Sequence, residues 1–194
     1  MKLSRRDLIW AVPVAATAGF FTWFGLRTYR IQFTKVSPQN PTFKDGPRVQ
    51  VGTLADFPEV WSFRYFEYPL AVGKLKAVAI RVPRPQPGGL SVGDVHLIAL
   101  SRICTHQGCT VNYVPDPEAG AIAYNYRSDH PFLGCPCHFG AFDPLRAGAA
   151  VFGPPRFPLP RIRLAAEGEE ILATGHEVPL RPLEGRAPAR RAGS

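Results

Sequence analysis

All four cysteines of the chain sit in two short windows, Cys104-Thr105-His106-Gln107-Gly108-Cys109 and Cys135-Pro136-Cys137-His138-Phe139-Gly140. Each window also carries a histidine, spaced Cys-x-His in the first and Cys-x-x-His in the second. Such short spacings let one tight loop aim a thiolate and an imidazole at neighbouring positions. A chain with this pattern must fold so that two irregular loops meet. Three chemistries use these residue types: an iron–sulfur cluster, a structural zinc ion and a pair of disulfides. Zinc gives no reason for the extra Cys109 and Cys137. Two plain disulfides ignore His106 and His138. The remaining histidines, His96, His130 and His176, lie outside both windows and read as structural or surface residues.

The rest of the chain must supply a rigid frame for those loops. With 194 residues it is long enough to bury a core, and its 21 Pro and 18 Gly favour a loop-rich β body over a helical one. Short apolar runs recur between Pro/Gly clusters and predict strands near Val49–Val51, Phe63–Phe66, Ala77–Val82, His96–Ser101, Cys109–Val114, Ala121–Tyr126, Arg161–Leu164 and Glu170–Thr174. No amphipathic helix is expected among them. The net charge is +8, but part of it lies at the ends, in Lys2, Arg5 and Arg6 and in Arg186, Arg190 and Arg191. No basic run interleaves with aromatics in the body, so no nucleic-acid partner is expected.

The N-terminus has its own pattern. Ser4-Arg5-Arg6-Asp7 precedes a charge-free stretch from Leu8 to Leu26, 19 residues long, which Arg27 closes. About 20 apolar residues span a bilayer as a helix. Trp10, Trp23 and Tyr29 lie near its ends, where amphipathic rings favour the interface. A cleaved signal ending near Ala16-Thr17-Ala18 is the other reading, but it would leave Phe20, Phe21, Trp23 and Phe24 exposed. The double arginine resembles a twin-arginine export signal, a route for proteins that fold before export. The expected organisation is an anchor at 1–30, a Pro/Gly-containing linker or hinge at 31–48, a body at 49–180 and a flexible basic tail at 181–194. Lys2, Arg5 and Arg6 place the N-terminus in the cytoplasm and the body on the outer face of the cell membrane.

The two windows resemble the paired boxes of the Rieske family, Cys-Thr-His-x-Gly-Cys and Cys-Pro-Cys-His, over roughly residues 95–160. The resemblance implies an all-β fold of stacked small antiparallel sheets, with a cluster-binding subdomain of two loops. It implies one [2Fe–2S] cluster per chain, with Cys104 and Cys135 on one iron and His106 and His138 on the other. Two imidazoles in place of thiolates make such a cluster less negative and raise its potential. Cys109 and Cys137 are then the disulfide of the high-potential branch of the family. Soluble Rieske ferredoxins generally lack these two cysteines. Gly153-Pro154-Pro155 resembles the proline loop that covers the cluster.

By the same resemblance the chain is a membrane-anchored electron-transfer subunit of a cytochrome bc-type quinol oxidoreductase. It docks on a cytochrome b subunit, takes an electron and a proton from quinol through the His106 and His138 edge, and passes the electron to a c-type cytochrome. The alternative is the Rieske small subunit of an arsenite-oxidase-like molybdenum enzyme, whose second box the run Phe139, Phe142, Asp143 also resembles. One departure bears on the chemistry. Many high-potential members carry Ser and Tyr hydroxyls where this chain has Gly140 and Phe142. Donors of that kind stabilise the more negative reduced cluster, so their loss predicts a lower potential.

Overall fold

The computed structural model describes residues 5–71 and 73–178. Their contacts divide the chain into two units, Met1–Thr34 and Lys35–Ser194. The basic tail expected at 181–194 lies outside the described residues.

The first unit is one helix, α1, Arg5–Phe33. Every described side chain from Ile9 to Arg30 is exposed, including Trp10, Phe20, Phe21, Trp23 and Phe24. A helix that is apolar all round and unburied has no stable place in water. Among the described residues it is the one helix long and apolar enough to cross a membrane. Pro13 lies inside it, as membrane helices tolerate.

The second unit is built from two antiparallel sheets. Its elements, in chain order, are β1 Thr42–Thr53, β2 Phe63–Pro69, β3 Lys74–Val82, β4 Leu90–Val92, β5 Val95–Ser101, β6 Asn112–Val114, α2 Pro117–Tyr124, β7 Phe132–Cys135, β8 Gly140–Asp143, β9 Ala149–Phe152, β10 Arg161–Glu167 and β11 Glu170–Val178. The larger sheet runs β1-β11-β10-β5-β3-β2, with β4 on β5; the smaller runs β6-β7-β8-β9.

Strand alternation explains how the larger sheet carries the smaller. Val78, Ile80 and Val82 of β3 and Ile98 and Leu100 of β5 bury one face, in the same core as Val111, Leu133 and Phe142 beneath the cysteine windows. Ala77, Ala79, Leu97 and Ala99, the intervening residues, bury the opposite face against Ile162, Ile171 and Ala173. Both faces are covered, so β3 and β5 read as near-continuous apolar runs.

Three expectations change here. Residues 121–126 read as a strand, but α2 occupies Pro117–Tyr124. Asp116 caps it by accepting from the amides of Glu118 and Ala119, Pro117 opens it, and left-handed Asn125 closes it. Those local signals outweigh the apolar run. Gly120 lets the helix approach β7: a Cβ there would sit 2.6 Å from the Phe132 ring. The expected linker or hinge at 31–48 overlaps the body, since β1 begins at Thr42 and pairs with β11. His176, read as a surface residue, lies in β11 with its ring 6.1 Å from buried Tyr68. Burial and the Lys44 charge hold its pKa below the usual histidine value.

Candidate metal centre

The first cysteine window is a loop leaving β5. An Ile103–Thr110 bridge closes its base. Within it the Cys104 amide donates to the Cys109 carbonyl at 2.8 Å, and the Gly108 amide donates to the Cys104 carbonyl at 2.9 Å. Gly108 has φ +81°, a left-handed turn that suits glycine. The second window is the β7–β8 hairpin, closed by the Cys135–Gly140 pair. Its tip, Pro136 to Phe139, is exposed.

The fold brings the two windows together. Cys104 and Cys135 are buried and free of any disulfide. Their thiols are hydrogen-bonded to each other: Cys104 is pushed up by donating to Cys135 and by burial, and Cys135 is held down chiefly by accepting from Cys104. Backbone amides also point at both sulfurs, from His106 and Gln107 to Cys104 and from Cys137 and His138 to Cys135. Amides aimed at sulfur stabilise the anionic form. The His106 and His138 rings lie edge to face with centroids 4.9 Å apart. His106 is half-buried and His138 exposed.

Cys109 and Cys137 form a disulfide, with Cα atoms 6.5 Å apart, that staples one loop to the other. The Cys109, Cys135 and Cys137 sulfurs all lie within 4.8 Å of one another. The donor set suits a group that takes two thiolates on its buried side and two imidazoles on its outer side. Cys135 is the readier of the two thiols to ionise, and Cys104 would give up its proton on ligation.

A third segment covers the loops. Gly153, at φ +73°, lies against the hairpin, where an added Cβ would meet the Phe139 carbonyl oxygen at 2.9 Å. Pro155 is buried, and a Cβ on Gly140 would meet its Cγ at 2.6 Å. Thr105 of the first loop donates its hydroxyl to the Phe157 carbonyl at 2.8 Å. The proline segment thus touches both loops. Gly140 is required by this packing, as well as lacking a hydroxyl. The histidines outside the windows bind elsewhere. His96 bonds Ser91 at 2.9 Å. His130 bonds Asp143 at 3.0 Å and stacks on Trp61.

Several supporting residues have no motif to mark them. Arg161 is 1% exposed and binds Glu177 through two nitrogens, with further bonds to the Pro87 and Gln39 carbonyls. Lys35 donates to the Gly153 and Pro155 carbonyls. A lone cation in a Pro-rich stretch carries no such signal. Thr105, inside the first window, is the one whose place in the motif could have marked it.

Fold and site together define an iron–sulfur electron carrier. The Rieske [2Fe-2S] domain family matches residues 63–163, and the chain belongs to that family. Its cofactor is accordingly a Rieske-type [2Fe–2S] cluster. A putative respiratory nitrate reductase subunit Rieske of Haloferax mediterranei is 38% identical over 40% of this chain and 29% of its own length. An iodate reductase subunit IdrB of Denitromonas iodatirespirans is 28% identical over 68% and 63%. The cytochrome bc1 complex Rieske iron-sulfur subunit of Streptomyces lividans is 32% identical over 39% and 38%. The chain spans less than two thirds of the length of each. The soluble domain of Rieske protein II of Sulfolobus acidocaldarius shares the fold, with TM-score 0.50 at 21% identity over 67% of this chain and 78% of that one.

Proposed function

We propose that this chain is the membrane-anchored Rieske subunit of a cytochrome bc-type quinol oxidoreductase, with the cluster held by Cys104, Cys135, His106 and His138. The observation that carries the ligand set is the meeting of two hydrogen-bonded buried thiols with two adjacent, more exposed imidazoles. When bound, the cluster supplies a one-electron acceptor of higher potential than an all-cysteine cluster. The residues do the rest. Cys104 and Cys135 hold the buried side, and the amides aimed at their sulfurs favour negative charge there. His106 and His138 each use one ring nitrogen as ligand. The other nitrogen of exposed His138 takes and returns the quinol proton. A c-type cytochrome is then the electron acceptor, and the quinol site belongs to a cytochrome b subunit.

The lid supports this reading, because Gly153 and Pro155 pack on the hairpin that carries His138. The exposed apolar helix α1 supports the anchor, and Lys2, Arg5 and Arg6 support a head on the outer face. A second reading, the Rieske subunit of an arsenite-oxidase-like molybdenum enzyme, is favoured by the Phe139, Phe142, Asp143 run.

Purification of the native complex from detergent-solubilised membranes decides between them. Co-purifying b-type haem is the expected result, and a large molybdopterin subunit in its place overturns the bc-type reading. Pulsed EPR on 15N-histidine-labelled protein tests the ligands. Nitrogen couplings from two imidazoles are expected, one of them vanishing on replacement of His106 or His138.

A further inference from the structure

The residues just after α1 are bonded to the cover of the cluster loops. Lys35 donates its ammonium to two carbonyls of the proline lid, those of Gly153 and Pro155. The next amide, Val36, donates to the Arg156 carbonyl at 2.8 Å. Three residues on, the Gln39 carbonyl accepts from buried Arg161 at 2.7 Å. From Thr42 the chain is strand β1. The segment 35–41 is therefore a strap lying on the head, pinned near both ends. The lid it grips also reaches the first loop through Thr105 and the second through Gly140.

We propose that Lys35 and the strap it opens clamp the proline lid onto both cluster loops, so that the membrane tether and the cluster cover are one mechanical unit. Lys35 is a positioning residue. It satisfies lid carbonyls that the neighbouring prolines cannot pair with their own amides, because Pro154, Pro155 and Pro158 have none. Releasing the strap would add seven residues of tether, roughly 23 Å of extended chain. It would also loosen the lid. A head that needs the longer tether to reach a partner would thus carry a more accessible cluster while it travels. This inference rests on the anchored Rieske reading above.

The test uses the full chain in detergent with its cluster bound. Two quantities are followed: bleaching of the visible spectrum by an iron chelator, and hydrogen exchange of the Gly153, Arg156 and Phe157 amides. Lys35→Met should raise both rates, the exchange by about tenfold or more for the loss of its two charge-assisted bonds. Lys35→Arg, which keeps the donors and the charge, should restore the wild-type rates. Lys74→Met, at an exposed lysine paired with Glu67 on the far strand pair, should change neither. If Lys35→Met fails to hold its cluster, Val36→Pro removes the strap's second donor and should give a smaller rise in the same direction. Unchanged rates in the strap variants, or equal rates in Lys35→Met and Lys74→Met, overturn the clamp. Wild-type protein that shows no iron–sulfur spectrum would instead sink the Rieske reading itself.

Discussion

The larger and smaller sheets solve the same problem in opposite ways. In the larger, β3 and β5 are buried on both faces by aliphatic side chains. The smaller is made of strands of three or four residues. Strands that short bury too little to hold two loops still. It relies on point fastenings: the Cys109–Cys137 disulfide, the Asp116 and Asp143 caps, and the lid bonded to Thr105 and Lys35. Non-directional burial gives the base its stability, and a few directional bonds give the metal centre its geometry.

The sharpest break between the two regions is removal of a proposed thiolate ligand. Cys104→Ser or Cys135→Ser should abolish the cluster spectrum completely. The base should stay folded, with the amides of β3 and β5 still protected from exchange. Loss of protection in both sheets would show that the cluster holds the whole head together and would erase the distinction.

Arg161→Met attacks the base at a deeply buried charge. Glu177 would keep only the bond from the backbone amide of residue 161, and the Pro87 and Gln39 carbonyls would lose their donor. Breaking one side of a buried ion pair costs about 3–5 kcal/mol. Urea unfolding should show that loss, with the cluster spectrum intact in the folded fraction.

Reduction of the Cys109–Cys137 bridge, or the double change to Ala, acts on the other region. The two cysteines are 28 residues apart in sequence. A closed loop of that size is worth about 3–4 kcal/mol in the chain-entropy account. The loss should appear as faster exchange in the two windows and α2, with β3 and β5 little changed. An equal loss in both sheets would count against the division.

What could be read from the sequence follows the same division. The two cysteine windows were legible because their residues are close in the chain, a thiol and an imidazole in each. The apolar strands and the N-terminal helix were legible for a similar reason, since their periods are local. Arg161 was not, because Gln39, Pro87 and Glu177 reach it from three distant places. Lys35 was hidden in the same way: its partners lie more than a hundred residues on. Helix α2 was misread although Asp116-Pro117 marked its start, because the run Ala121 to Tyr126 was weighed by its apolar residues alone. Gly140 was read only as a missing hydroxyl. Its other role, making room for Pro155, depends on a contact that no local pattern encodes.

That last point selects between two ways of testing the potential. Gly140→Ser adds a hydroxyl near the second loop, but its Cβ would fall 2.6 Å from Pro155 Cγ and 2.9 Å from Pro155 Cδ. The lid would have to move, so a changed potential would mix a new donor with a loosened cover. Phe142→Tyr is the cleaner variant. Phe142 is fully buried on β8, in the same core as Cys104 and Cys135. A phenol there would add one donor inside that core. A hydrogen bond to a charged acceptor contributes about 1.5 kcal/mol, or about 60 mV for one electron. Voltammetry should therefore find the Phe142→Tyr potential higher by about that amount. A potential that does not rise would rule out the missing Tyr hydroxyl as a cause of a low one. The lid and its strap would then be the next determinants to vary.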